Sequence, residues 1–257
     1  SAAACHAQMY TMGTVLRHGN EEQKQKYLPL IASGELRLQA FGVTEPTTGS
    51  DTTQLKTRAV KEGDQYVVNG QKIWTSRAHQ SDLMLLLART MPANEVEKRT
   101  QGLSTFLVDL RETRGKGCEI RSIPTMINHN TTEVFFDNMQ IPVDALVGKE
   151  GEGFKNILSG MNAERILIAS EALGDGRYFM DKGVGYANER QVFGRPIGQN
   201  QGIGFPLATA YTQLEAAEMM IRKAAALYDS GQDCGEAANI AKYLASEAAW
   251  KAADETF

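Results

Sequence analysis

The hydrophobic period of this chain changes twice. Apolar residues recur at helical spacing up to about residue 37. They alternate, or run on without interruption, from about Leu38 to residue 148. From 149 onward the helical spacing returns and stays. Strands gathered in one block between two helical blocks describe a segregated α+β chain, not an alternating α/β one. No Gly-x-Gly-x-x-Gly lies between a strand and a helix, so a doubly wound dinucleotide fold is disfavoured. The 257 residues therefore divide into helices at 1–37, a β-domain at 38–148 and a helical bundle at 149–257.

Within the first block, residues 1–17 read as a helix with Ala3, Ala7, Tyr10 and Thr14 on one small-residue face, ended by His18-Gly19. Asn20 caps a second helix with Glu21 and Glu22 in its first turn, where the helix dipole favours anions. That helix is expected to kink or stop near Pro29 and to close at Ser33-Gly34. Strand patterning falls at 55–60, 65–68, 71–75, 82–88, 103–109, 118–123 and 133–136. Gly63-Asp64 and Asn69-Gly70 punctuate it as turns, the second read as a two-residue I′ turn. Seven or eight such strands make a sandwich or barrel. In the last block Phe154, Ile157, Leu158, Met161, Ile166, Ala169 and Leu173 recur at helical spacing, with Gly174 and Gly176 weakening the helix locally. A Gly-rich loop with Pro196 spans 190–204. Ala-rich helices follow at 205–229 and from 237 to the end, which fits an antiparallel bundle.

Composition narrows the function. Hydrophobic residues make up 42 % and charged residues 23 %, as in a soluble globular protein. A net charge of −4 supplies no basic field for nucleic acid. No apolar run is long enough for a membrane span. Cys5, Cys118 and Cys234 lie far apart with no Cys-x-x-Cys, so a reduced intracellular setting is expected. None of His6, His18, His79 and His129 has a partner at metal-ligand spacing, so no metal site is expected; His6 and His18 read as surface or helix-end residues. The chain starts at Ser1 and stops at Phe257 inside a helical stretch, as a piece of a longer protein would.

Two stretches carry chemistry. Phe41-Gly-Val-Thr-Glu-Pro-Thr-Thr-Gly-Ser50, followed by Asp51, leaves a strand with hydroxyls and glycines. Its backbone N–H groups and hydroxyls suit a phosphate or a flat cofactor, although such clusters also make ordinary turns. Gly70-Gln-Lys-Ile-Trp74-Thr-Ser76 places an aromatic ring and two hydroxyls on a neighbouring strand.

With Glu22-Gln-Lys-Gln-Lys-Tyr-Leu-Pro29 and Asn188-Glu-Arg-Gln-Val-Phe-Gly-Arg195, these stretches occur in an order that resembles an acyl-CoA dehydrogenase along the whole chain. The resemblance implies N-terminal helices (partial), a middle β-barrel or sandwich domain and a truncated C-terminal four-helix bundle. It implies FAD as cofactor, an acyl-CoA substrate, an electron-transfer flavoprotein as partner, and a homodimer or homotetramer in the bacterial cytoplasm or mitochondrial matrix. Phe41, Val43 and Thr44 would line the isoalloxazine. Gly49 and Ser50 would face the phosphates and the CoA portion. Trp74 and Thr75 would flank the ring, and Ser76 would approach N5, where the family commonly has Thr. The Thr47-Thr48 pair is bulkier than the family's usual residues there, altering either the loop or the acyl pocket. Arg190, Phe193, Asn200 and Gln201 would hold FAD from a neighbouring subunit; on the residues alone Arg190 reads as a surface salt bridge.

Desaturating an acyl thioester between Cα and Cβ needs a base for the α-proton. The resemblance puts that base either in a later bundle loop, beyond Phe257, or just before an Arg on the first bundle helix, as in the isovaleryl-CoA and long-chain members. Here that position reads Met161-Asn-Ala-Glu164-Arg165. Glu164 is the implied base, Asn162 and Arg165 would contact substrate, and Glu171 is the alternative acid. From spacing alone Glu164 is an ordinary helix-surface residue. Two further readings stay open: a flavin oxidase or monooxygenase on the same scaffold, and a non-catalytic acyl-CoA- or flavin-binding protein.

Overall fold

A computed structural model describes residues 2–127 and 130–257. Ser1, Asn128 and His129 lie outside the described residues, as do the side chains of Ala2 to Cys5, Ala7 and Gln8. The readings made for His129, for Cys5 and for the Ala3 and Ala7 face therefore fall outside them. The chain separates into two compact units, essentially residues 3–160 and 161–257.

The first unit opens with α1 (Ala2–His18) and α2 (Glu21–Ser33). Asn20 caps α2 through a complete capping box with Gln23, and Gly34 ends it in the left-handed conformation at φ 82°. α2 does not stop at Pro29 but continues past it to Ser33. Proline removes one helical hydrogen bond, but Ile31, beyond it, is buried against the sheet and holds the last turn in place.

Eight strands follow: β1 (Leu38–Gly42), β2 (Arg58–Glu62), β3 (Gln65–Ser76), β4 (Leu83–Arg89), β5 (Leu103–Asp109), β6 (Cys118–Ser122), β7 (Thr131–Pro142) and β8 (Leu146–Val147), with the one-turn helix α3 (Leu110–Thr113) between β5 and β6. They form one sheet in the order β6-β7-β3-β2-β4-β5-β8, with β1 pairing parallel to β4. The link from β2 to β4 is a single pair, Arg58 opposite Arg89. At this narrow waist the sheet folds over: Tyr66 of β3 packs edge-on to Phe106 of β5, with ring centroids 4.9 Å apart. One core thus collects Val68, Met84, Leu86, Val108, Val134 and Met139 from both halves. The other side of β4 carries Leu83, which joins Leu38, Leu107, Val15 and Ile31 under the two helices. Burial on both faces explains why β4 reads as an unbroken apolar run.

The turn expected at Asn69-Gly70 is absent. β3 continues through it with a register shift between Val68 and Gly70, and the hairpin turn lies at Gly63, φ 64°. Gly70 is needed for close approach instead: at φ 149°, a Cβ there would lie 2.6 Å from Thr57 Cα.

α4 (Gly153–Glu189) begins in the first unit and continues in the second. The second unit adds a small hairpin, β9 (Gln191–Val192) and β10 (Arg195–Pro196), then α5 (Gln201–Asp229) and α6 (Gly235–Thr256). Three helices are present there. The expected loop at 190–204 is shorter than read, because α5 starts at Gln201 and Pro206 lies inside it. α4 is unbroken at Gly174 and Gly176. A Cβ on Gly176 would meet Leu214, and one on Gly183 would meet Thr256, so these two glycines admit neighbouring helices. Ala210, Ala217 and Ala224 repeat every seven residues on α5 and pack with Ala238, Ala241 and Ala245 of α6. Small residues at that period let two helices run close together.

Candidate functional site

In the first unit, the chain leaves β1 and enters the hydroxyl-rich loop. Glu45 and Thr48 exchange backbone hydrogen bonds of 2.9 and 3.0 Å, closing a turn with Pro46 and Thr47 exposed at its corners. Thr52 Oγ1 donates to the Gly49 carbonyl at 3.2 Å, and Gly49 and Ser50 are exposed. The loop is tied to β3 where the Ile73 N–H donates to the Thr44 carbonyl at 2.9 Å. Thr44 is thereby placed one residue from Trp74. The two stretches singled out in the sequence meet here; Trp74 is exposed beside Thr44, Thr75 is buried, and the Phe41 ring packs edge-on against Tyr10 of α1 at 5.4 Å.

Trp74 is the unusual member. It adopts φ 59°, and its side chain is 58 % exposed. Left-handed backbone costs an ordinary residue roughly 1–2 kcal/mol, and the register of β3 against β7 shifts between Lys72 and Thr75 to accommodate it. A strained bulge that pushes an indole outward provides a flat face for a ligand. The Thr44 N–H has no acceptor among the described residues. Thr75 is buried, its Oγ1 has no hydrogen-bond partner among the described residues, and its carbonyl accepts from Thr132 Oγ1 at 2.6 Å. An aromatic plate beside an unengaged donor fits a flat heteroaromatic group with a polar edge.

Two residues of these stretches were given no role by the sequence reading. Lys72 is completely buried, and its Nζ lies 2.8 Å from Glu45 Oε1 and donates to the Val43 carbonyl at 3.0 Å. Glu45 also accepts the backbone N–H groups of Lys56 at 2.6 Å and Thr57 at 2.9 Å. Burial pushes the Lys72 ammonium down to about 8, with the Glu45 charge opposing. Burial alone would raise the Glu45 carboxyl; the Lys72 charge and the hydrogen bonds from Lys72, Thr57 and Lys56 hold it below its usual value. The alternation Tyr66, Val68, Lys72 was the available signal: it puts a lysine on the inward face of a strand, where it requires a buried partner.

In the second unit, β9 and β10 pair through a two-residue turn at Phe193-Gly194, with φ 54° and 76°. Phe193 is fully exposed. Arg190 is also exposed and makes no ion pair among the described residues, unlike the surface salt bridge its residue type suggested. The Asn200 side chain is used internally: Oδ1 accepts from Arg195 at 2.8 Å, and Nδ2 donates to the Ile197 carbonyl at 3.0 Å. Gln201 is the first residue of α5 and is exposed. A cavity of about 670 Å³ lies beside this hairpin, bounded by Met180, Asn188, Gly198, Leu207 and Tyr211. Further up α4, Arg165 Nη1 donates to Asn162 Oδ1 at 2.9 Å. Glu164 and Glu171 are half-buried on the same helix.

The same three blocks are found in known proteins. Residues 1–35, 40–139 and 151–257 match the acyl-CoA dehydrogenase N-terminal, middle and C-terminal domains in turn. The chain belongs to the acyl-CoA dehydrogenase family. Over 241 residues it is 42 % identical to an acyl-CoA dehydrogenase of Bacillus subtilis (strain 168), covering 93 % of this chain and 62 % of that one. The chain thus spans less than two thirds of that relative's length. It also resembles a chain in a structure of the electron transferring flavoprotein of Acidaminococcus fermentans, at 34 % identity and TM-score 0.91, covering 98 % of this chain and 66 % of that chain. PigA with FAD and proline is similar at 27 % identity and TM-score 0.92, covering 99 % and 65 %. The family's domain order accounts for the helix–sheet–helix arrangement, with the Trp74 bulge and the 43–51 loop both inside the middle-domain match.

Proposed function

We propose that the protein is an FAD-dependent acyl-CoA dehydrogenase, forming a trans-2-enoyl-CoA from an acyl-CoA thioester. The observation that carries this reading is the exposed, strained Trp74 held one residue from the unengaged Thr44 N–H. Phe41, Val43, Thr44, Trp74 and Ser76 would hold the isoalloxazine. Gly49 and Ser50 would face phosphates with backbone and hydroxyl. When bound, FAD supplies the acceptor for the β-hydride.

The other contributions come from this chain's own groups. The Glu164 carboxylate removes the α-proton, and Arg165, oriented by Asn162, contacts the substrate. Arg190, Phe193 and Gln201 serve the FAD of a neighbouring subunit, in a homodimer or homotetramer. Arg190 is a fork of donors suited to pyrophosphate, and among the described residues no carboxylate engages it. Asn200 acts by holding the hairpin. An electron-transfer flavoprotein takes the electrons onward.

The reading is tested by titrating the purified yellow protein, without oxygen, with straight, branched and aromatic acyl-CoAs. Bleaching of the flavin by at least one thioester is expected, with reoxidation by an electron-transfer flavoprotein and little peroxide when air is admitted. Rapid peroxide formation would make it an oxidase. Binding without bleaching would leave a carrier.

A further inference from the structure

Among the described residues, Lys72 and Glu45 form the ion pair in which both side chains are buried, at 0 % and 4 % exposure. Taking two charges out of water is expensive. Replacing such a pair by uncharged side chains of similar volume is often neutral for stability or even favourable. A fold that keeps the pair therefore gains something other than net stability from it, and the geometry shows what that is.

The Lys72 ammonium donates to the Val43 carbonyl at 3.0 Å. In a trans peptide the carbonyl and the following N–H point in opposite directions. With the Val43 carbonyl drawn inward to Lys72, the Thr44 N–H of the same peptide is turned outward, where no described residue accepts it. The next peptide is fixed separately, with the Thr44 carbonyl accepting from Ile73 N–H and the Glu45 N–H donating to Thr48. Glu45 anchors the lysine from below. It also accepts Lys56 N–H on one oxygen and Thr57 N–H on the other, which holds it against swinging away.

We propose that Lys72 and Glu45 are positioning residues for the flavin site: the buried pair fixes the Val43–Thr44 peptide so that its N–H faces the polar edge of the bound ring. The positive charge on the carbonyl side also polarises that peptide, making the Thr44 N–H a stronger donor. This rests on the FAD reading above and assigns within it two residues that touch neither cofactor nor substrate.

The test is the paired variant Lys72→Met with Glu45→Gln, which removes both charges at nearly constant volume and leaves an acceptor for the 56–57 backbone. FAD is stripped from the purified protein and added back. The affinity, the visible band of the bound flavin and the thermal midpoint are then compared with the parent. The paired variant is expected to fold with a similar midpoint, bind FAD about tenfold more weakly, as the loss of one charge-assisted hydrogen bond implies, and show a displaced flavin band. A folded variant with parental affinity and an unmoved band would overturn the proposal. Should the pair fail to fold, Glu45→Gln alone, which drops the charge and replaces one of the two accepting oxygens with a donor, must still displace the band; an unmoved band there overturns it too. If the parent itself takes up no FAD, the functional reading falls and this inference falls with it, a result distinct from a parent that binds and a variant that binds equally well.

Discussion

Arg195 donates to Asn200 across 2.8 Å, bracing the β9–β10 hairpin against the start of α5. That brace holds the Phe193-Gly194 turn in a conformation with both residues at positive φ, which glycine tolerates and phenylalanine does not. No described residue of its own chain covers the fully exposed aromatic ring at this strained turn position.

Replacing Phe193 with Asn is therefore expected to stabilise the chain while harming the flavin site. Relief of the left-handed strain is worth about 1 kcal/mol, visible as a higher thermal midpoint. FAD content after gel filtration should fall. A variant that is more stable and equally yellow would remove Phe193 from the cofactor's surroundings.

Gly70 and Gly34 make a matched pair for the backbone. Alanine at Gly34 meets nothing within 4 Å and should cost only the φ 82° penalty, about 1 kcal/mol. Alanine at Gly70 bears the φ 149° penalty and also collides with Thr57, so its cost should be roughly 2–3 kcal/mol. Urea unfolding of the two variants decides it. Equal losses would mean that β2 and β3 part easily at this point.

The block order and the two stretches that meet at Thr44 and Ile73 were legible in the sequence because each depends on local pattern: a change of period, or a cluster of special residues. The Asn69-Gly70 misreading shows the limit. The same dipeptide serves a tight turn or a close approach, and what decided it was Thr57, the residue just before β2. Pro29 shows the same limit from the opposite side. A helix breaker was overruled by Ile31, whose burial depends on Leu38 and Leu83. The role of Lys72 was unreadable for a related reason. A lone lysine in a strand becomes informative only when Glu45, 27 residues earlier, is found beneath it.

The buried pair gives a pH signature in two directions. The folded Lys72 value of about 8 lies below its ordinary 10.5. Between those values the unfolded chain binds more protons than the folded one, so this group makes stability rise with pH from about 8 to 10.5. Glu45 is held below its ordinary 4.5, so its contribution is present above that value and is lost as pH falls through the folded one. Arg89, whose charge also reaches Glu45, is ionised throughout this range and adds no step. The difference in unfolding free energy between the parent and the Lys72→Met, Glu45→Gln variant should follow this profile. Above about 8 the parent's flavin band should also drift toward that of the variant as Lys72 loses its proton. A difference that is flat from pH 4 to 10 would show that the pair does not titrate as a buried one.

Glu164 carries the sharpest prediction, since base and cofactor binding should separate cleanly there. Glu164→Gln keeps the size and helix preference of the side chain but cannot accept the α-proton. On an intact fold, FAD content and acyl-CoA affinity should stay near parental values. The rate of anaerobic bleaching should fall by a factor on the order of 10² or more, the scale of a lost general base. Arg165→Lys should behave differently, weakening acyl-CoA binding more than it slows bleaching, because it loses the fork now oriented by Asn162. If Glu164→Gln bleaches at the parental rate, Glu164 is not the base, and Glu171→Gln is the next variant to measure on the same helix.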